Sequence, residues 1–307
     1  MILKWIGLAL AGLICLAVLF VLLLFGYLAV MNRTNGSLIS SGVERKYLLH
    51  VPETYDPSVP SPLVVSIHGF ASWPQNQMQT SRWNDLADRE GFIVVYPSGT
   101  GFPKRWRIPV NAMGISGSEE DVIFLTGLID SLEKQYNIDP RRIYINGLSN
   151  GAGMSVVMGC RLSERVAAVG GVAGAYLFPL ESCCQSRPVP MIAFHGTEDP
   201  IVPYTGGPSR HFDAPFPNVA DWMRERADLN GCDDAPVTLL ESDSVTGVEY
   251  PNCSFNAPVI FYTIHGGGYT WPGGNPLPEW IAGYTDHSIS ATEIMWKFFQ
   301  QHPLPPD

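Results

Sequence analysis

The sequence has few charged residues and lacks the common cofactor motifs. Only 16% of its 307 residues are Asp, Glu, Lys or Arg, against about 25% in an average soluble protein. It contains no CxxC pair, no phosphate-binding loop and no dinucleotide fingerprint, so we expect neither a metal nor a cofactor. The net charge is −10 and the basic residues form no cluster, which argues against nucleic-acid binding. Low-complexity tracts are absent and 46% of the residues are hydrophobic, which excludes disorder.

The surplus of apolar residues lies at the N-terminus. Residues 5–31 contain no charge, and a helix of that length crosses a bilayer. The apolar core of a secretory signal has about 7–15 residues, and no small-x-small cleavage site follows this run. We interpret residues 1–31 as a transmembrane signal anchor, with a long cleaved signal peptide as the alternative. Residues 32–42 are predicted to be a linker, and residues 43–307 one catalytic-type domain.

Two features bear on the compartment, and they disagree. One basic residue precedes the apolar run and three follow it closely, which weakly favours a cytoplasmic domain. The cysteines of the domain lack metal-ligand spacing and suit disulfides in an oxidising compartment. We therefore expect an extracytoplasmic domain, anchored by the N-terminal helix or secreted if that helix is cleaved. These cysteines are Cys160, Cys183, Cys184, Cys232 and Cys253.

Strand and helix patterns alternate along the rest of the chain. Continuous β-branched runs such as residues 62–67 predict strands that are buried on both faces, and residues 119–136 have helical periodicity. This alternation predicts an α/β fold, a mainly parallel sheet with helices on both faces. Ligands of such sheets bind at the carboxyl ends of the strands. Further strands are predicted at 45–51, 92–96, 142–145, 167–172, 189–194 and 259–264, and helices at 81–90 and 291–300.

A GxSxG motif at residues 147–151 follows a predicted strand and precedes a predicted helix. This is the context of a nucleophile elbow, in which Ser149 is exposed at the top of the sheet. The backbone N–H of Asn150 would be one donor to an oxyanion. The other donor is expected in the loop after residues 62–67, where we favour Phe70 over Ala71. His68 in that loop is interpreted as structural.

An acidic residue follows the strand at 189–194. Asp199 is placed to orient a histidine, with Glu198 as the alternative acid. The expected order along the chain is serine, acid and then histidine. The histidine should therefore follow the predicted strand at 259–264.

Six stretches of the sequence resemble polyhydroxybutyrate depolymerases and feruloyl esterases, which have the α/β-hydrolase fold. The resemblance covers residues 45–302 and implies a serine esterase that needs no cofactor. Such an enzyme is expected to act through a Ser149 acyl-enzyme on a small ester or a polymer ester, such as a feruloyl-polysaccharide or a polyhydroxyalkanoate. The stretches are LVVSIHG at 63–69, WNDLADREGFIVVYPSG at 83–99, EDVIFLTGLID at 120–130, GLSNGAGM at 147–154, FHGTEDPIVPY at 194–204 and GGGYTWPGG at 266–274.

One residue departs from the family pattern. The family has His where this chain has Tyr269, and the flanking residues match on both sides. Tyrosine has a pKa near 10 and cannot replace imidazole at neutral pH. Three interpretations stay open: His265 acts as the base, His287 does, or the site is impaired and serves binding only. We assign His265 as the candidate catalytic base.

The resemblance also suggests covalent and aromatic features. It implies that Cys232 and Cys253 close a disulfide-bonded excursion, and Cys160 is expected to pair with Cys183 or Cys184. Loop aromatics near the expected cleft are candidates for stacking on substrate. These are Trp106, Tyr204 and Trp271. No pattern indicates an oligomeric state.

Overall fold

The computed structural model describes residues 2–109, 118–209 and 214–306. The chain divides into two units, Met1–Arg33 and Thr34–Asp307. The first unit is helix α1, Ile2–Met31. Its part Gly12–Met31 is long and apolar enough to cross a membrane, a test of length and composition that a signal sequence also passes. The helix therefore fits both an anchor and a signal.

The second unit is built on one ten-stranded sheet. Its strand order is β1-β2-β4-β3-β5-β6-β7-β10-β9-β8. The six central strands, from β4 to β10, are parallel, and two antiparallel strands lie at each end. The strands are β1 Gly36–Ser40, β2 Val43–His50, β3 Ser61–Ile67, β4 Ile93–Pro97, β5 Ile138–Leu148, β6 Ala168–Val172, β7 Met191–Gly196, β8 Val237–Glu241, β9 Val245–Tyr250 and β10 Val259–Ile264.

Helices cover both faces of this sheet, as the alternating pattern predicted. In β3, Leu63 and Val65 enter the core beneath α4, α5 and α6, whereas Val64 enters the core beneath α3 and α8. All three side chains are almost fully buried, which explains the continuous apolar run. The helices are α2 Pro74–Ser81, α3 Trp83–Glu90, α4 Glu120–Gln135, α5 Asn150–Arg161, α6 Val219–Leu229, α7 Glu279–Ala282 and α8 Ala291–Gln301.

The structure differs from the predicted elements at several places, and the helices α2, α6 and α7 were not predicted. The predicted linker 32–42 contains β1, which pairs with β2 as an edge strand. The predicted helix 81–90 begins only at Trp83, because Arg82 adopts a left-handed conformation with φ 58° and ends α2. The β8–β9 hairpin was not predicted; β8 has only five residues and is mostly exposed, although three of the five are apolar.

Candidate active site

A strained turn places Ser149 between β5 and α5. Ser149 has φ 56° and ψ −118°, and its N–H donates to the Val172 carbonyl oxygen of β6 at 2.9 Å. This left-handed conformation is rare for a residue with a side chain. Glycine is required around it, because a Cβ on Gly147 would collide with Gly151, and a Cβ on Gly151 would collide with the Ile67 carbonyl. The turn therefore has the geometry of a nucleophile elbow.

The loop after β3 lies beside this turn. The Ala71 N–H donates to the Lys104 carbonyl oxygen at 2.8 Å, so it is already used, and Phe70 remains the candidate donor. Asn150 is the first residue of α5, where a backbone N–H has no partner within the helix. Its side-chain amide is held by the backbone of Trp106, through bonds of 2.7 and 3.1 Å.

Asp199 is buried at the end of β7, whereas Glu198 is exposed. Asp199 Oδ1 accepts hydrogen bonds from the N–H groups of Ile201 and Val202, both at 2.8 Å. Asp199 Oδ2 has no hydrogen-bond partner among the described residues. Burial raises the pKa of Asp199 to about 7, although the two backbone hydrogen bonds oppose the rise.

Tyr269 joins this group from the loop after β10. Its hydroxyl is hydrogen-bonded to Ser149, and a Cβ built on Gly69 would lie 3.0 Å from that hydroxyl. Burial raises the pKa of Tyr269 above its ordinary value, and the nearby Asp199 adds to the rise against the hydrogen bond from Ser149. The fold thus brings Ser149, Tyr269 and Asp199 together, with a neutral phenol where the sequence resemblance predicts an imidazole.

The candidate histidines lie elsewhere. The exposed ring of His265 has its Nε2 2.8 Å from Thr246 Oγ1 of β9, and its described hydrogen bonds do not include Ser149. His287 is exposed as well. The structure therefore does not bring His265 to the nucleophile, and its predicted role as base would require the ring to leave Thr246. His68 is buried, contacts the Gly69 carbonyl and accepts from the Gly99 N–H, as expected of a structural residue.

The sequence interpretation did not identify His195 as a neighbour of Asp199. Its Nε2–H donates to the Val202 carbonyl oxygen at 2.8 Å, and the same nitrogen lies 3.4 Å from Asp199 Oδ2. Burial lowers the pKa of His195 to about 4, so its ring is neutral at pH 7. The i,i+4 spacing from Asp199 across a strand end was the only sequence signal for this contact.

The aromatic residues expected in the cleft are mainly packing residues. Trp106 is 2% exposed and its Nε1–H donates to the His68 carbonyl oxygen. Trp271 is 1% exposed and bonds Thr292. The prediction that both line a cleft wall is therefore wrong, because each indole is buried in one of the two hydrophobic cores. Tyr204 is half-buried, with its hydroxyl on Thr263.

Two disulfides confirm that the cysteines pair. Cys160 at the end of α5 is bonded to Cys183, and Cys232 is bonded to Cys253. The second bond closes the excursion that contains the β8–β9 hairpin. Cys184 is free and exposed, which settles the alternative for the first pair in favour of Cys183.

The fold and the elbow define an α/β-hydrolase, and comparisons with known proteins extend this result. The family model "Esterase PHB depolymerase" matches residues 46–191. A bifunctional acetylxylan esterase/xylanase of Neocallimastix patriciarum is 32% identical over 53% of this chain and 22% of its own length. Feruloyl esterase B of Piromyces equi is 29% identical over 85% of this chain and 46% of its own. The chain thus spans less than half the length of these two relatives.

Solved structures share the fold. Acetyl xylan esterase from Aspergillus awamori matches with a TM-score of 0.54 and 19% identity, over 78% of this chain and 91% of that one. The feruloyl esterase module from Clostridium thermocellum matches with a TM-score of 0.53 and 14% identity, over 78% of this chain and 83% of that one. The matched segment and the sequence relatives show that the chain is similar to feruloyl esterases and polyhydroxybutyrate depolymerases.

Proposed function

We propose that this protein is a serine carboxylic-ester hydrolase that works through a Ser149 acyl-enzyme. The observation that carries the proposal is the strained elbow at Ser149, because such a conformation costs about 1–3 kcal/mol and persists where function requires it. Its relatives are named as feruloyl and acetylxylan esterases. The proposed substrates are feruloyl-polysaccharide, polyhydroxyalkanoate or related esters.

In this mechanism Ser149 Oγ attacks the ester carbonyl carbon and the alcohol departs, after which water hydrolyses the acyl-enzyme. The N–H groups of Phe70 and Asn150 would stabilise the oxyanion. The attack requires a group that accepts the hydroxyl proton of Ser149. Tyr269 is a neutral phenol whose pKa burial raises, so it does not accept this proton at neutral pH. We therefore expect turnover far below that of an enzyme with a complete triad, which loses most of its rate when the base is removed.

The second candidate function is ester binding without turnover. The position of Tyr269 favours it, because its hydroxyl is hydrogen-bonded to Ser149 and burial raises its pKa, so that it does not accept the serine proton at neutral pH. A site of this kind keeps the family's shape for recognition and lacks the group that starts the reaction.

Labelling by a fluorophosphonate separates the two functions. The full chain, kept in detergent, should be labelled at Ser149 and should release 4-nitrophenol slowly from 4-nitrophenyl acetate. Ser149→Ala is the matched control and should lose both signals. Absence of labelling in the folded wild type would contradict the esterase proposal and leave ester binding.

We also propose that the second unit is extracytoplasmic. The support is the pair of disulfides, which persist in oxidising compartments, together with the apolar helix α1 that would anchor or export the chain. Protease digestion of sealed cells or vesicles tests the proposal, since an extracytoplasmic domain is degraded from outside. Protection in sealed cells would contradict it.

A further inference from the structure

A cavity lies at the amino edge of the sheet, opposite to the ester site. Its volume is about 250 Å³, and its lining includes Ala167, Pro190 and Asn256, which directly precede or closely precede β6, β7 and β10. Ser149 and Asp199 follow the carboxyl ends of β5 and β7. Because these strands are parallel, the cavity and the ester site lie at opposite edges.

Arg187 gives this cavity a positive charge. The guanidinium is half-buried and donates to the carbonyl oxygens of Pro188, Val166 and Ala167, at 3.0, 2.7 and 3.5 Å. It has five N–H groups, and Nε has no hydrogen-bond partner among the described residues. The ion pairs of the described residues do not include Arg187. The charge therefore lacks a carboxylate, although the protein is strongly acidic.

The other lining residues provide no carboxylate. Within the described part of the chain, the lining consists of neutral or apolar groups around Arg187: Ala167, Pro190, Phe255, Asn256, Gln301, His302, Pro303 and Pro305. A neighbouring cavity of about 340 Å³ also reaches Arg187, but it contains Glu133 and Glu164. There Arg165 is paired with Asp130 and Glu133. The two cavities thus differ in that the lining of the first has no carboxylate, whereas the second sets Glu133 and Glu164 beside Arg141, Arg165 and Arg187.

The backbone at the mouth of the cavity is strained. Phe255 has φ 55° and Asn256 has φ 53°, both in the left-handed region. The Phe255 ring lines the cavity and is 77% exposed, in a loop tied down by the disulfide at Cys253. A bulky residue in this conformation is unfavourable and is typical of ligand sites, where surrounding structure holds the strain.

We propose that this cavity binds a small carboxylate that carries an aromatic or other apolar ring. The carboxylate would accept from Arg187, since charge-assisted hydrogen bonds to a guanidinium are strong. The ring would pack on Phe255 and the prolines, which offer an apolar wall to the ligand's body. A cavity below the usual 300–1,000 Å³ range of drug-sized pockets admits about one ring. The proposal does not depend on the ester hydrolase function.

Titration of the full chain in detergent with benzoate tests the proposal, with benzyl alcohol as the neutral match. Benzoate should bind saturably and at least tenfold more tightly than benzyl alcohol. The Ser149→Ala variant should bind it with unchanged affinity, because the ester site lies at the other edge. Equal affinities for the two ligands, or loss of benzoate binding in Ser149→Ala, would overturn the proposal. Competition by inorganic phosphate at the same concentration as benzoate would also overturn it.

Variants locate the binding. Arg187→Gln should weaken benzoate binding at least tenfold. Phe255→Ala should weaken it about threefold, because the variant removes the ring on which the ligand packs. Arg165→Gln is the matched control, since it removes a paired arginine of the neighbouring cavity, and should change affinity less than twofold. If Arg187→Gln fails to fold, Arg187→Lys is the substitute. It keeps the positive charge but loses the paired N–H donors of the guanidinium, and should weaken benzoate binding severalfold. Unchanged affinity in the folded Arg187 variant and in Phe255→Ala would contradict the site.

Discussion

The elbow after β5 and the loop after β10 are packed alike but differ in chemistry. In the elbow, Gly151 lies so close to the Ile67 carbonyl that no Cβ fits. In the loop after β10, Gly268 lies equally close to the Ala282 carbonyl, and the Tyr269 N–H donates to that same oxygen at 2.6 Å. Both loops are closely packed at a glycine, yet only the elbow carries the reacting group that the sequence resemblance predicts for it.

This comparison separates two constraints on an active site. Backbone packing selects glycine at close approaches, whereas the reaction selects Ser, Asp and His at the tips of the loops. The imidazole is absent and the acid is still present, with Asp199 Oδ2 buried and without a hydrogen-bond partner among the described residues. A carboxylate oriented for an N–H donor thus persists beside a residue that supplies none.

The largest expected effect comes from Tyr269→His. An imidazole at this position would lie between Ser149 and Asp199, where it can take the serine proton and donate to the free carboxylate oxygen. We expect 4-nitrophenyl acetate hydrolysis to rise by about two to four orders of magnitude, equivalent to about 3–5 kcal/mol of barrier. Initial rates of the full chain measure the effect.

Tyr269→Phe is the control for this substitution. It removes the hydroxyl from Ser149 without adding a base, and should leave the rate within about tenfold of wild type, because no new proton acceptor is created. An equal gain in both variants would show that Tyr269 obstructs the substrate rather than replaces a base. No gain in either would contradict the idea of a site that lacks only its histidine.

Glycine substitutions test whether the two loops are packed alike. Gly151→Ala and Gly268→Ala should each reduce the free energy of unfolding by about 3 kcal/mol, since the new Cβ collides with a carbonyl oxygen that cannot move freely. Gly127→Ala, inside α4, is the matched control. Its Cβ meets nothing closer than 4.0 Å, so it should stabilise the protein by about 0.5–1 kcal/mol.

Urea denaturation followed by near-ultraviolet circular dichroism measures these differences. If Gly151→Ala lost much free energy of unfolding and Gly268→Ala lost almost none, the two loops would not be packed alike. The loop after β10 would then be loosely held, and the loss of histidine would accompany a loss of packing.

The pH dependence of stability reports on the unpaired acid. Because burial raises the pKa of Asp199 to about 7, the folded state binds a proton between pH 4 and 7 that the unfolded state releases. The free energy of unfolding should therefore fall as pH rises from 4 to 7. Above pH 7 the contribution of Asp199 should stay constant. Asp199→Asn keeps the acceptor for Ile201 and Val202 but cannot titrate. We expect wild type to lose about 3 kcal/mol relative to this variant between pH 4.5 and 7.5.

Tyr269→His provides the contrast for the pH experiment. An imidazole that donates to Oδ2 would lower the pKa of Asp199, so the loss of stability should shift to lower pH and diminish. A parallel pH dependence of wild type and Asp199→Asn would show that Asp199 is ionised in the native protein at acidic pH.

The sequence predicted the parallel core of the fold for a physical reason. Strands buried on both faces are continuous apolar runs, and the motif residues follow them directly. The β8–β9 hairpin was missed because β8 is a strand of five residues that lies mostly exposed, so it does not form a long buried run. Trp106 and Trp271 were placed on the cleft wall because sequence position shows that a residue lies on a loop and not which way its ring faces.

The contact of Tyr269 with Ser149 could be anticipated, but the place of His265 could not. A histidine four residues upstream on one loop is near in sequence, yet the chain turns at Gly266, with φ 70°, between them. The turn leaves the His265 ring on Thr246 of β9. Local distance along a loop is therefore a poor guide to side-chain reach.

The smallest expected effect is that of His265→Ala. Its exposed ring contacts Thr246 and not Ser149, so removal should change ester hydrolysis less than twofold and stability by less than about 0.5 kcal/mol. His287→Ala should behave in the same way, and His211→Ala, which lies outside the described residues, completes the scan. A tenfold loss of wild-type rate in the His265 variant would mean that this ring leaves Thr246 and serves Ser149. The loop after β10 would then supply the base from His265 instead of from position 269. It would differ from the elbow in where its reacting group lies and not in lacking one.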